Sequence, residues 1–368
     1  MKIAIIGSRG YPYVYSGYET FVKELSERLV QKNIQVKVYC HKNLFDSHPK
    51  YVNGIELVYM PTIETKSLSQ LIHSLFSMIH ACCTKTDIIL TVNAANGPFG
   101  LISKLFHKPT LINVDGLEWL RPKWKGLGSK YFYFSAKLAT KLYDAIITDA
   151  EEMRKVYLLE FNKESTVIAY GANIRYSQNA ALIDQFNIKA QEYYLIVGRL
   201  IPDNNADLIV DGFVKSRSSK KLVIVGDVPY ADKYADNIKS KANSSIIFLG
   251  YIKNSEILAE LYHNCYTYIH GHEFGGTNPT MLKAMACGCA VLALNTAFNN
   301  EMLSNGEYGF FFEKNVASLA DSIQHFELNH NLVNRLRNTS RNGLTEKYNW
   351  DIITDSYISV MNKLVTES

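Results

Sequence analysis

Ten short apolar runs, five in each half of the chain, are each followed by polar or helical sequence, and this alternation constrains the fold more than any other feature. In the first half the runs are "KIAIIG", "IQVKVYC", "DIILTVN", "PTLIN" and "DAIITD". Between them lie stretches such as "YETFVKELSERLVQK", whose apolar residues recur at helical spacing. The second half repeats the pattern with "YYLIVGRL", "KLVIVGD", "SIIFLGY", "CYTYIHG" and "CAVLALN". Short β-branched runs alternating with helices imply parallel sheets covered on both faces, an α/β class. A chain of 368 residues is too long for one core, so two domains are expected. Periodicity lapses at "YGANIRYSQN", which places the boundary between domains of residues 1–175 and 176–343. Two doubly wound sheets facing each other would hold a ligand in a cleft at the carboxyl ends of their strands.

Composition narrows the partners. Hydrophobic residues make up 47% and charged residues 20%, as in a folded globular protein. The 39 basic and 35 acidic residues leave a net charge of +4, too mild to argue for nucleic acid. "MKIAIIGSRG" goes straight into a strand and has no cleavage site, and no apolar run reaches the ~20 residues that span a bilayer. A cytoplasmic location is expected. The six cysteines, Cys40, Cys82, Cys83, Cys265, Cys287 and Cys289, form no CxxC and read as buried thiols in a reducing compartment; no metal is expected. The stretch from Leu68 to Cys83 is the most apolar helix of the first half, expected to pack on the sheet, with a membrane contact as the other reading.

The candidate site residues lie at strand ends. In "EFGGTNPTMLKAMACG" the glycines let the backbone approach a ligand, and the helix starting near Asn278 or Pro279 offers N–H groups and a positive dipole end. A phosphate or diphosphate suits such a loop; a plain glycine turn is the alternative. "VGRLIPDNN" puts Arg199 directly after a strand, where its guanidinium can clamp phosphate oxygens. Gly226 and Gly250 close two more strands, and "GSRGYPYVYSGYETF" sets Gly7, Gly10 and Gly17 between the first strand and its helix. A dinucleotide oxidoreductase fits poorly, because GxGxxG is absent and the second strand ends in "YCHK", with no acid for a ribose hydroxyl. There is no DxD either, so a metal–diphosphate pair is not expected.

Together, "GSRGYPYVYSGYETFVKEL", "VDGLEWLRPKW", "GRLIPDNN" and "GGTNPTMLKAMACG" resemble the retaining glycosyltransferases of GT-B fold called family 4, in particular the bacterial polysaccharide rhamnosyltransferase-like branch with its DUF1972-type first domain. The resemblance implies two Rossmann-like domains facing a cleft, with a nucleotide-sugar bound by the second and an acceptor by the first. It also implies a last helix, at about 344–368, packed back on the first domain. Arg199, Gly275, Gly276, Thr277 and Asn278 would meet the diphosphate, Tyr251 and Ile252 the nucleobase, and Gly10, Gly17 and Gly226 the donor's surroundings. Asp115 stands where many relatives place a histidine near the donor sugar, so Asp115, Arg199 and Glu273 are its catalytic candidates. Tyr18, Glu19, Glu118, Trp119, Arg121, Lys123, Trp124 and Lys125 fall on the acceptor or membrane side. The branch implies L-rhamnose from dTDP-rhamnose, with a UDP-sugar as the alternative donor, and no cofactor or metal. The acceptor would be a polyprenyl-diphosphate-linked saccharide at the inner face of the membrane, the protein being peripheral there.

Two positions depart from that pattern. Relatives carry a pair of glutamates in the last motif; here Lys283 holds the second position and Glu273 sits two residues before the first. A lysine only donates, and cannot accept hydrogen bonds from ribose hydroxyls. Asn204 stands where wider relatives have a phosphate-binding lysine, and a silent partner protein is therefore a further alternative. In "EWLRPKWKGLGSKYFYFSAK", Arg121, Lys123, Lys125, Lys130 and Lys137 alternate with aromatics, which suits a lipid–water interface or, equally, a solvated basic loop before a core helix.

Overall fold

The computed structural model describes residues 1–12, 17–63, 68–122, 124, 126–228, 231–345 and 347–367. The chain forms two compact units, one of Met1–Tyr170 with Trp350–Ser368 and one of Gly171–Asn349.

The first unit is built on β1 (Lys2–Ile6), β2 (Gln35–His41), β3 (Tyr51–Val52), β4 (Ile55–Met60), β5 (Ile88–Val92), β6 (Thr110–Val114), β7 (Ala145–Thr148) and β8 (Thr166–Val167). Their order is β3-β4-β2-β1-β5-β6-β7-β8. All neighbours are parallel except β3 and β4, which pair antiparallel. β5 and β6 are buried at every residue, which is why they read as unbroken apolar runs. β3 and β4 escape that reading because they are half-exposed. The last helix, Trp350–Thr366, starts later than its expected position because Ser340–Leu344 closes a separate 3-10 turn. It lies against the helix Gly17–Gln31, where Phe21 stacks 5.4 Å from Tyr357 and 6.4 Å from Trp350.

The second unit carries β9 (Tyr193–Val197), β10 (Lys221–Val225), β11 (Ile246–Gly250), β12 (Thr267–His270), β13 (Val291–Leu294) and β14 (Phe310–Phe312), all parallel in the order β11-β10-β9-β12-β13-β14. Its core joins Ile209 and Phe213 of the helix Ala206–Ser216 to Leu222 and Ile224 of the sheet and Leu319 and Ile323 of the helix Val316–Leu328. Each such side chain contributes roughly 1.5–3 kcal/mol on full burial.

The cysteine expectation needs correction. Five are buried, but Cys83 is exposed, because it follows the helix Ser69–Cys82 on its solvent side. Among the described residues, no helix is long and apolar enough to cross a membrane.

Candidate functional site

In the second sheet the chain steps outward from β9 to β11, then from β12 outward on the other side, so the order reverses between β9 and β12. Open α/β sheets take ligands in the crevice at such a point, outside the carboxyl ends of the strands. The loops that emerge there are residues 198–205 and 271–278, and hydrogen bonds stitch them together. Asn205 Nδ2 donates to the Gly271 carbonyl at 2.8 Å, and the Glu273 N–H donates to the Asp203 carbonyl at 3.1 Å. Asn204 donates through Nδ2 to the Arg199 carbonyl at 2.7 Å, and its Oδ1 accepts from His272 Nδ1 at 2.8 Å. Both ends of the Asn204 amide therefore hold loop geometry.

Two glycines permit this approach. A Cβ on Gly271 would lie 2.4 Å from the Asn204 carbonyl oxygen. Gly226, at φ +119°, would place one 2.1 Å from the Gly198 carbonyl oxygen. The Gly226 N–H in turn donates to the Gly250 carbonyl at 2.7 Å, which draws in the loop bearing Tyr251 and Ile252. Tyr251 is exposed and Ile252 half-buried.

The helix Pro279–Ala286 begins at the end of the second loop. Asn278 caps it, its side chain accepting from the Thr280 N–H at 3.0 Å and from Thr280 Oγ1 at 2.7 Å, while Pro279 takes the first helical position. Gly275 has φ +127°, and Gly276 and Thr277 are buried just before the cap. Arg199 is exposed, and its guanidinium has no partner among the described residues. Lys283 is exposed on the helix itself. Glu273 is differently placed: Lys314 Nζ bonds its Oε2 at 2.6 Å, and Asn205 Nδ2 lies 3.5 Å from the same oxygen. Sequence reasoning missed Lys314, since nothing local links it to a loop 41 residues earlier.

In the first unit the order reverses between β1 and β5. Gly10, at φ +127°, lies so close to Cys40 that a Cβ would sit 2.8 Å from its sulfur. Glu19 is buried and turns back to accept the Arg9 N–H at 3.1 Å, so it supports this loop. Gly17 opens the helix Gly17–Gln31. Residues 13–16 of the same motif lie outside the described residues.

Asp115 follows β6. Its Oδ1 accepts from Tyr18 Oη and its Oδ2 from Tyr170 Oη at 2.9 Å. Tyr170 Oη also lies 3.2 Å from Asn113 Oδ1, and Asn113 Nδ2 donates to Tyr357 Oη at 2.8 Å. Burial raises the Asp115 carboxyl, and the hydrogen bond from Tyr18, the charge of Arg121 and the bond from Tyr170 oppose that rise. Burial and then the Asp115 charge hold Tyr18 and Tyr170 well above the ordinary phenol range, so both are neutral donors. Only Asp115 and Tyr18 of this network were singled out from sequence.

The segment after Asp115 packs inward. Arg121 is buried and pairs with Glu118 at 3.0 Å, and Trp124 Nε1 donates to Glu118 Oε2 at 2.7 Å. Trp119 meets Tyr133, Tyr157 and Phe161 edge-on. Arg121, Trp119 and Trp124 thus take part in the unit's own packing, while Lys130, Phe134 and Lys137 of the same stretch are exposed. Lys123 and Lys125 lie outside the described residues.

Comparison with known proteins finds a family match in each half of the chain. Residues 1–173 match the family model "Domain of unknown function (DUF1972)", and residues 179–343 match "Glycosyl transferases group 1". The chain is 24% identical to an uncharacterized glycosyltransferase of Methanocaldococcus jannaschii, with 99% of each chain covered. It is 22% identical to the capsular polysaccharide biosynthesis glycosyltransferase CapM of Staphylococcus aureus, over 66% of this chain and 68% of that one. The structure of sucrose-phosphate synthase from Thermosynechococcus elongatus matches with a TM-score of 0.83 at 17% identity, covering 100% of both chains. That of Anabaena HepE in complex with UDP matches with a TM-score of 0.77 at 16% identity, covering 99% and 100%. The chain therefore carries a DUF1972 match over residues 1–173 and a glycosyl transferases group 1 match over residues 179–343, and its fold is the two-domain α/β architecture of the GT-B glycosyltransferase structures.

Proposed function

We propose that this protein transfers a sugar from a nucleotide-sugar to a polyprenyl-diphosphate-linked saccharide in the synthesis of a bacterial surface polysaccharide, working at the inner face of the membrane. The observation that carries the donor half is the loop pair at the β9/β12 reversal, with a capped helix start at one end and the unpartnered Arg199 at the other. The leaving diphosphate gains negative charge as the glycosidic bond breaks. The Arg199 guanidinium and N–H groups near Gly275–Asn278 would stabilise that charge, and such fixed donors act most strongly where charge develops. Retention follows if the acceptor attacks on the leaving-group face, its proton passing to a donor phosphate oxygen. No protein nucleophile is assigned. Asp115, held by Tyr18 and Tyr170, would orient the sugar or the acceptor.

dTDP-rhamnose is the first donor to test, on the strength of the motif resemblance. A UDP-sugar is the second, favoured by the UDP complex of HepE. CapM's role in capsular polysaccharide synthesis supports the product class. The test is a thermal-shift titration with dTDP, UDP, GDP and ADP on this protein and on Lys283→Glu, followed by turnover of the matching nucleotide-sugars. A ligand at a hundred times its Kd adds about 2.7 kcal/mol to the state it binds. A selective shift in the unaltered protein names the nucleotide. No shift from any nucleotide in either form would sink the donor reading, and a shift only in Lys283→Glu would mark a silenced site.

A further inference from the structure

Glu273 is held from two sides, and one of its oxygens is left over. Its N–H donates to the Asp203 carbonyl at 3.1 Å, which fixes the backbone three residues past the end of β12. Oε2 takes Lys314 Nζ at 2.6 Å, with Asn205 Nδ2 3.5 Å away. Oε1 has no partner among the described residues, and the side chain is 23% exposed.

Lys314 comes from the far edge of the sheet. It follows β14, and β13 lies between β14 and β12. The lysine is 53% exposed, and an ion pair so open to water contributes little to stability. Its neighbours nonetheless fix the point from which it reaches. The Glu313 N–H donates to Ser318 Oγ at 2.9 Å, and Glu313 Oε1 accepts from Asn295 Nδ2 at 2.6 Å. Asn315 caps the helix Val316–Leu328, accepting from the Ser318 N–H at 2.8 Å. With both backbones tied, the pair does more for the direction of the carboxylate than for the stability of the unit.

Glu273 shares its loop with Gly275–Asn278, where the diphosphate of a nucleotide-sugar would lie. A carboxylate repels a diphosphate, so Glu273 is no phosphate ligand, and the Lys314 charge offsets that repulsion. A carboxylate oxygen can instead accept from hydroxyls. Strand order sorts the rest of the ligand. Tyr251 and Ile252, the nucleobase candidates, follow β11 at one edge, and the loops for the diphosphate leave β9 and β12 in the middle. The side toward β13 and β14 remains for the transferred sugar, whose hydroxyls need acceptors. Lys314 reaches Glu273 from that side.

We infer that Lys314 is a positioning residue: by occupying Oε2 it aims Oε1 of Glu273 at a hydroxyl of the transferred sugar. The inference rests on the donor reading proposed above and deepens it, because it separates the sugar contact from the nucleotide contacts.

The experiment compares affinities of the full chain by titration calorimetry, dTDP against dTDP-rhamnose and UDP against UDP-glucose. The readout is the Kd of the nucleotide-sugar divided by that of its nucleotide. Lys314→Met should raise this ratio about five- to tenfold, and Glu273→Gln should raise it at least as far. Lys314→Arg should keep it within about twofold of the unaltered protein, because a guanidinium can also occupy Oε2. Lys314→Met combined with Glu273→Gln should be no worse than Glu273→Gln alone, since the two side chains act as one unit. A purely structural role would lower the Tm or move both affinities together, leaving the ratio where it was. A ratio unmoved by Lys314→Met, or raised equally by Lys314→Arg, overturns the inference while nucleotide binding stands. If neither nucleotide binds the unaltered protein, the donor reading fails and this inference falls with it.

Discussion

Gly226→Ala tests the loop geometry of the proposed donor site directly. The added Cβ would lie 2.1 Å from the Gly198 carbonyl oxygen, where ordinary contact begins near 3.4 Å. Relief requires moving the backbone that carries Arg199. The native φ of +119° is also strained for any residue with a Cβ, at about 1–3 kcal/mol. Overpacking against a backbone atom adds about 1–3 kcal/mol more. A loss of about 4 kcal/mol in a unit of this size lowers its Tm by roughly 8–16 °C. Gly250→Ala is the control: its φ is +64° and nothing lies within 4 Å of its Cβ, so only the conformational cost applies. The assay is favourable because Trp119, Trp124 and Trp350 all belong to the first unit. Tryptophan fluorescence therefore follows that unit, while calorimetry or amide exchange of β9 and β10 follows the second. Gly226→Ala should shift the second unit's transition well beyond Gly250→Ala and weaken nucleotide binding. If both variants cost the same, the close approach of the two loops is refuted.

Other outcomes follow from single contacts. Arg199→Ala should change stability by no more than about 0.5 kcal/mol, because the guanidinium has no partner to lose among the described residues. It should weaken nucleotide binding about 10- to 150-fold, the worth of a charge-assisted hydrogen bond of 1.5–3 kcal/mol, as titration calorimetry can read. Glu260 is 3% exposed and accepts from Gln178 N at 2.6 Å, Asn179 N at 2.9 Å, Ser177 Oγ at 2.7 Å and Asn264 Nδ2 at 2.9 Å. Burial raises its carboxyl, but these bonds outweigh burial and leave it below its ordinary value. A depressed folded pKa stabilises above the unfolded value of about 4.3 and is lost as pH falls through the folded one. Glu260→Gln should thus cost about 2–3 kcal/mol near neutrality, with the gap to the unaltered protein closing in acid. A gap constant with pH would show that packing, not the carboxylate, matters there.

The strands easiest to read from sequence are those whose register leaves no solvent face, though the half-buried Ile246–Gly250 is also read from its apolar run. Ile88–Val92 and Thr110–Val114 are buried throughout and read as apolar runs. Ile55–Met60 and Phe310–Phe312 were passed over, the first because it is only half-buried and the second because it is three residues long. The helix Pro279–Ala286 was legible from Asn278 and Pro279, since caps act within one turn. The helix Ser69–Cys82 showed its apolar content but hid its orientation, because a helix with apolar residues on several sides does not declare which one the sheet takes.

Sequence alone determined that this chain builds parallel α/β sheets with glycine-bearing loops at their strand ends, because periodicity, turn chemistry and capping are local and act over a few residues. The tertiary structure alone decided which loops meet. It turned Asn204 into a brace, matched Glu273 with Lys314, and set Asn113 against Tyr357 across 244 residues. These contacts depend on strand order and on which crossover covers which face. That order minimises the free energy of the whole sheet, and no short window of sequence encodes it.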